Sequence, residues 1–167
     1  MSEWAPSDVV VNASPLIFLY GSGQLELLRL YQGRVFVPSA VVAEVTAKPR
    51  HASRAAVVQL PSWAEVLPDI PVPAAVAEWD LGPGESAVLA HARATPSARV
   101  VLDDLAARRC ARALGLQTTG TLGLVLLAKK SGRIASARDV LSSLRAGGMY
   151  LSDAVVERAL GLVDEGR

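Results

Sequence analysis

Val9-Val10-Val11-Asn12-Ala13-Ser14-Pro15-Leu16-Ile17 decides the fold. Three consecutive β-branched residues without alternation suit a short strand buried on both faces, as in a parallel sheet covered by helices. Ser14-Pro15 then supplies a helix N-cap and a proline at the first helical position, so the sequence predicts a helix from there to about Tyr20. A buried strand that runs straight into a helix is the opening of a βα unit. Asn12, the one hard-oxygen side chain at the joint, sits where such a sheet collects its ligands, outside the carboxyl ends of the strands.

The pattern recurs along the chain. Gln24 to Tyr31 reads as a second helix, Arg34 to Val37 as a second strand, and Pro38-Ser39 opens a helix with Val41, Val42 and Val45 on its apolar side and Glu44 on another. Ala52 to Leu60 is expected to be helical, followed by an edge strand at Ala64 to Leu67. Pro68 to Pro83, with prolines at 68, 71, 73 and 83, reads as a surface connection. Gly82-Pro83-Gly84-Glu85 starts an Ala-rich helix through about Ala94. Strand Arg99 to Leu102, helix Leu105 to Leu114 stopped by Gly115, strand Leu116 to Thr118 and helix Thr121 to Ser131 follow. Helices near Ala137 to Ala146 and Ser152 to Val163, the latter capped by Ser152, complete a single α/β domain over residues 1–167.

Composition narrows the function classes. A 167-residue chain that is 51% hydrophobic and 20% charged can bury a sizeable core and is not disordered. No apolar run approaches the ~18 residues of a membrane helix, and Met1-Ser2-Glu3-Trp4 lacks the features of a secretory signal, so a cytoplasmic location is expected. Cys110 has no partner for an internal disulfide, and on an apolar helix it reads as a small buried hydrophobe. The net charge of +1 conceals an asymmetry: residues 1–85 carry five Lys/Arg and nine Asp/Glu, whereas residues 86–147 carry ten and three. A basic second half that also holds Asp103-Asp104 suits a polyanion together with a cation.

Asn12, Asp103-Asp104 and Thr119-Gly120-Thr121 each follow a strand, and Glu44 and Glu85 lie in the early turns of helices. Carboxylate and amide oxygens without neighbouring Cys or His suit Mg2+ or Mn2+ rather than zinc or copper. Such a site favours phosphodiester hydrolysis, because a divalent cation both acidifies water and clamps phosphate. His51 and His91 have no metal-pair spacing, and the glycines of 120–123 do not form a phosphate loop. Each candidate also has a plain structural role: Asp103 or Asp104 as a helix cap, Glu85 as a helix N-terminal charge, Glu44 as a solvated side chain, Asn12 as a turn residue and Ser14 as a cap. Arg108, Arg109 and Arg112 either meet phosphate or face solvent, with Arg108 the best placed for RNA. A flavodoxin-like phosphate binder would need a Gly-rich loop that is absent.

Val10-Val11-Asn12-Ala13-Ser14-Pro15-Leu16-Ile17, Val37-Pro38-Ser39-Ala40-Val41-Val42-Ala43-Glu44-Val45 and Gly82-Pro83-Gly84-Glu85-Ser86-Ala87 stand in a distinctive order with Val101-Leu102-Asp103-Asp104, Ala107-Arg108 and Gly120-Thr121-Leu122-Gly123. With these motifs the chain resembles PIN-domain proteins, and among them the compact group related to VapC toxins, from about residue 9 to residue 160. The resemblance implies a three-layer α/β/α Rossmann-like fold with a parallel central sheet, and cleavage of single-stranded or structured RNA with Mg2+ or Mn2+. It implies that Glu44, Glu85 and Asp104, with Asp103 beside it, are the catalytic acids. Asn12, Glu44, Glu85 and Asp104 would be the metal ligands, and Ser14, Thr121 and Arg108 the phosphate contacts. It also implies a small antitoxin protein as partner and, with the apolar content of so short a chain, a homodimer. Asn12 departs from the pattern, because PIN domains usually carry Asp there, and this keeps open a second reading: a catalytically degenerate module that binds RNA or protein.

Overall fold

The computed structural model describes residues 6–47 and 57–166. Five parallel strands, β1 (Ser7–Val11), β2 (Gln32–Pro38), β3 (Ala64–Leu67), β4 (Arg99–Val101) and β5 (Gln117–Thr119), form one sheet in the order β3-β2-β1-β4-β5. The chain works outward from β1 to β3 on one side and then returns to place β4 and β5 on the other. The order therefore reverses between β1 and β4, whose Val9, Val10 and Val11 pair with Arg99, Val100 and Val101. At such a reversal the connections leave in opposite directions and open a crevice above the carboxyl ends of the two strands. Val9, Val10 and Val11 are fully buried, as a central strand covered on both faces requires, while the edge strand β3 leaves Val66 exposed.

The helices are α1 (Ala13–Gly21), α2 (Ser39–Thr46), α3 (Ala74–Ala77), α4 (Pro83–Ala94), α5 (Leu105–Ala113), α6 (Thr121–Lys130), α7 (Ala137–Ala146) and α8 (Asp153–Gly161). They cover both sides of the sheet. α4 lies on β1, β2 and β4 with α2, α3 and α5 against it, and α6 packs with α7, α8 and α1. One contiguous apolar core joins the layers, with Leu16, Leu89, Leu102, Leu124, Leu141 and Leu160 among its fully buried side chains.

Several expectations need correction. Residues 25–29 form a 3-10 turn rather than an α-helix, and a four-residue helix, α3, interrupts the proline-rich connection. Residues 57–60 are not helical, and the rest of the helix expected at Ala52 to Leu60 lies outside the described residues, as does His51. Ser14 is not the cap of α1. Asn12 holds that position with extended backbone (φ −88°, ψ 171°), so the helix begins at Ala13. Pro15 then falls at the third helical position instead of the first, still inside the first turn, where a missing N–H deprives the helix of nothing. His91 is buried, with Nε2 2.9 Å from the Pro68 carbonyl oxygen, tying α4 to the segment after β3. Cys110 is fully buried, and burial pushes its thiol pKa up. Ser152 caps α8 as the sequence predicts, its hydroxyl accepting from Val155 N–H.

Candidate functional site

Three of the expected residues meet at the end of β1. Asn12 is 2% exposed, and although it occupies the N-cap position of α1 its side chain caps nothing. It donates instead through Nδ2 to Glu85 Oε1 at 3.0 Å. That bond fixes the amide, because the reverse orientation would set its oxygen against a carboxylate, two acceptors face to face. Asn12 Oδ1 therefore points away from Glu85, buried and without a hydrogen-bond partner. An unpaired buried acceptor costs about 1–3 kcal/mol.

Gly84 explains where that oxygen looks. A Cβ at this position would stand 2.8 Å from Glu44 Oε2 and 3.1 Å from Asn12 Oδ1, so both oxygens close on the space that the glycine leaves. Glycine inside a helical turn costs up to about 1 kcal/mol relative to alanine, and here the missing side chain lets α2 and α4 bring oxygen atoms together. The Glu44 stem is exposed but its carboxyl end turns inward. Burial of that end, and next the negative charge of Glu85, push its pKa above the ordinary 4.5. Glu85 lies in the first turn of α4, with its other oxygen directed back toward Gly82, favourable to the positive end of the helix.

Asp103 and Asp104 stand apart from this trio in their bonding. Asp103 accepts from Thr121 twice, from N–H to Oδ1 and from the hydroxyl to Oδ2, both at 2.7 Å. Thr121 is fully buried, so its hydroxyl proton is committed to Asp103, an attachment that joins the end of β4 to the start of α6. Asp104 caps α5, accepting from Ala107 N–H at 2.8 Å. Arg108, one turn into α5, is half-buried with an Nε that finds no partner, and Ser14 is exposed on α1. Among the described residues no three His, Cys, Asp or Glu side chains cluster closely enough to hold a metal ion. The donor set at Gly84 is thus two carboxylates and an amide oxygen. Hard oxygens, a buried acceptor without a partner and a cradle that a Cβ would fill together fit a small divalent cation.

The family comparison agrees with this architecture, matching the PIN domain over residues 8–165. The chain belongs to the PIN-domain family. Its fold is a nuclease-type one, since PIN domains are generally nucleases and usually use divalent metals. No curated protein and no solved structure matches the chain. Within the PIN domain, the element that sequence reasoning left without a role is Gly84, and the available signal was a glycine placed just inside a helix, between Pro83 and an acid. No described helix is long and apolar enough to cross a membrane.

Proposed function

We propose that this single PIN domain is a Mg2+- or Mn2+-dependent ribonuclease that hydrolyses RNA phosphodiesters, and that it acts as the cytoplasmic toxin of a toxin–antitoxin pair. The observation that carries the reading is Asn12 Oδ1, buried and unpartnered, facing the same space as Glu44 at the point where the sheet order reverses. Glu44, Glu85 and Asn12 would hold the cation, and Asp104, which caps α5 outside that cluster, would act on it from the β4 side through water. A cation there supplies an acidified water and neutralises charge on the phosphate. The chain does the rest. Asn12 keeps Glu85 oriented through its Nδ2 bond, and a cation beside Glu44 would offset the burial and the Glu85 charge that raise the pKa of its carboxyl. Arg108 and Ser14 are the proposed phosphate contacts, whereas Thr121, fully buried with its N–H and hydroxyl both on Asp103, is left to fix that carboxylate. A small antitoxin protein and a second copy of the chain are the proposed partners.

Purified protein freed of any antitoxin is expected to cleave single-stranded RNA with added Mn2+ or Mg2+, and to stop with chelator. Absence of cleavage over diverse RNAs would support instead the degenerate RNA- or protein-binding module. Asn12 in place of Asp, and the commitment of Asp103 and Asp104 to structural bonds, favour that second reading.

A further inference from the structure

At the carboxyl ends of β4 and β5, against α6 and Phe18 of α1, lies a groove of about 680 Å³. It is lined by Thr119 and Gly120 from the end of β5, Asp103 and Arg108 from the segment after β4, and Met149 and Tyr150 from the turn between α7 and α8. Arg108 Nε is buried without a hydrogen-bond partner, and no ion pair engages its guanidinium among the described residues. Arg108 Nη1 and Asp103 Oδ1 both approach Gly120, at 3.3 and 3.0 Å from where a Cβ would stand, yet Asp103 spends its oxygens on Thr121. The groove thus contains an uncommitted planar cation, whose fork of donors matches phosphate geometry.

Tyr150 supplies the second feature. It is 91% exposed, and it follows Gly148 at φ +99°, a conformation that side-chain-bearing residues rarely adopt, so the backbone sets the course of the turn. A single exposed apolar side chain needs no explanation. An exposed aromatic ring sharing a groove with an unpaired guanidinium has the two parts that recognise an unstacked nucleotide, a face for the base and a cation for the phosphate. The groove also includes Asp103, and β4 adjoins β1, so it lies within about two strand spacings, roughly 10 Å, of Asn12.

We propose that this groove holds the nucleotide beside the scissile bond of a single-stranded RNA, its base stacked on Tyr150 and its phosphate on Arg108. Unpaired RNA is thereby selected over duplex, whose bases are stacked on one another and cannot reach the ring. The position relative to the scissile bond rests on the nuclease reading above; the recognition of an unpaired nucleotide does not.

The test is binding of the full chain, in chelator, to a short fluorescein-labelled single-stranded RNA and to the same strand annealed to its complement, followed by anisotropy. Tyr150→Ala is expected to weaken single-strand binding about 5- to 150-fold, the loss of one stacked base, to leave duplex binding unchanged, and to be rescued by Tyr150→Phe. Arg108→Ala is expected to weaken binding and to lower the slope of log affinity against log salt by about 0.7. Unchanged single-strand affinity in Tyr150→Ala overturns the proposal. So does a loss of binding accompanied by a shift from dimer to monomer in light scattering, which would assign the groove to a second copy. If wild type cuts RNA and Tyr150→Ala alters neither affinity nor KM, the subsite fails and the nuclease stands. If binding depends on Tyr150 but no RNA is cut with Mn2+, the nuclease reading fails and the nucleotide groove stands.

Discussion

Asn12 concentrates the tension of this site in one amide. Its Nδ2 satisfies Glu85 while its Oδ1 goes without a partner, so the residue stabilises an acid and leaves an acceptor exposed to whatever enters the Gly84 space. Asn12→Asp removes the donor and adds a third negative charge beside Glu44 and Glu85. In chelator the substitution is expected to lower Tm, by about 2–8 °C for a loss of roughly 1–2 kcal/mol in a domain of this size. With Mn2+ the order reverses: calorimetry should show tighter binding, and cleavage at limiting metal should rise. Equal Mn2+ affinity in the two proteins would remove Asn12 from the ligand set. Asp104 poses the opposite question, because its cap alone accounts for the residue. Replacing a capping Asp by Ala costs about 0.5–2 kcal/mol, whereas Asn caps as well as Asp. Asp104→Asn should therefore keep the wild-type Tm and lose most activity if the carboxylate also binds metal, while Asp104→Ala should lose both. An active Asp104→Asn would leave Asp104 as a cap only.

At the scale of elements, how legible the chain was depends on how local the determining signal is. The buried runs at Val9–Val11 and Val100–Val101, and the Gly115 stop at φ +72°, were readable because each is set by adjacent residues. The 3-10 turn at 25–29 was not: the sequence carries helical periodicity there, but the connection between α1 and β2 must also reverse the chain, and only Leu25–Arg29 of it coil. The site was half legible. Glu44 and Glu85 declared themselves as acids in early helical turns, but the bonding that separates Asp103 and Asp104 from them depends on Thr121 and Ala107, whose roles appear only once the chain is folded. The α7 start shows the same non-local logic. Glu165, from beyond α8, accepts from the Ala137 and Arg138 N–H groups at 2.9 Å and pairs with Lys129 at 2.8 Å, acting as a cap contributed from elsewhere in the sequence. The Lys129 hydrogen bond, then the two backbone donors, hold its carboxyl at about 2, below the ordinary 4.5. A lowered carboxylate pKa stabilises the fold fully above 4.5, and that contribution disappears as pH falls toward 2. Glu165→Gln should accordingly lower Tm at pH 7, with the difference from wild type narrowing between pH 4.5 and 2. A gap that stayed constant over that range would mean the charge of Glu165 plays no part.

For the whole molecule, the sheet gathers oxygen donors that repel one another unless a cation joins them. α2 delivers Glu44, α4 delivers Glu85 and leaves the space at Gly84, and the end of β1 delivers Asn12, so three parts of the chain share the electrostatic cost of the arrangement. A ligand that binds only the folded state adds RT ln(1 + [L]/Kd), about 2.7 kcal/mol at a hundredfold excess over Kd, which corresponds to roughly 5–11 °C in Tm for a domain of this size. Mn2+ is thus expected to raise Tm by an amount that grows with the logarithm of its concentration, and chelator to abolish the rise. Glu44→Gln separates this from general salt effects because its two consequences have opposite signs. The raised pKa of Glu44 means that its charged form weakens the fold at neutral pH, so in chelator at pH 7 the variant should melt slightly higher than wild type, by less than about 1 kcal/mol for so exposed a side chain. Below the ordinary carboxylate range, where Glu44 is protonated in folded and unfolded chains alike, that advantage should vanish. In Mn2+ the variant should lose the metal-dependent increment and melt below wild type. A variant that retained the full Mn2+ increment would place the cation elsewhere; one that melted lower than wild type in both conditions would mean that Glu44 holds α2 in place and does not repel Glu85.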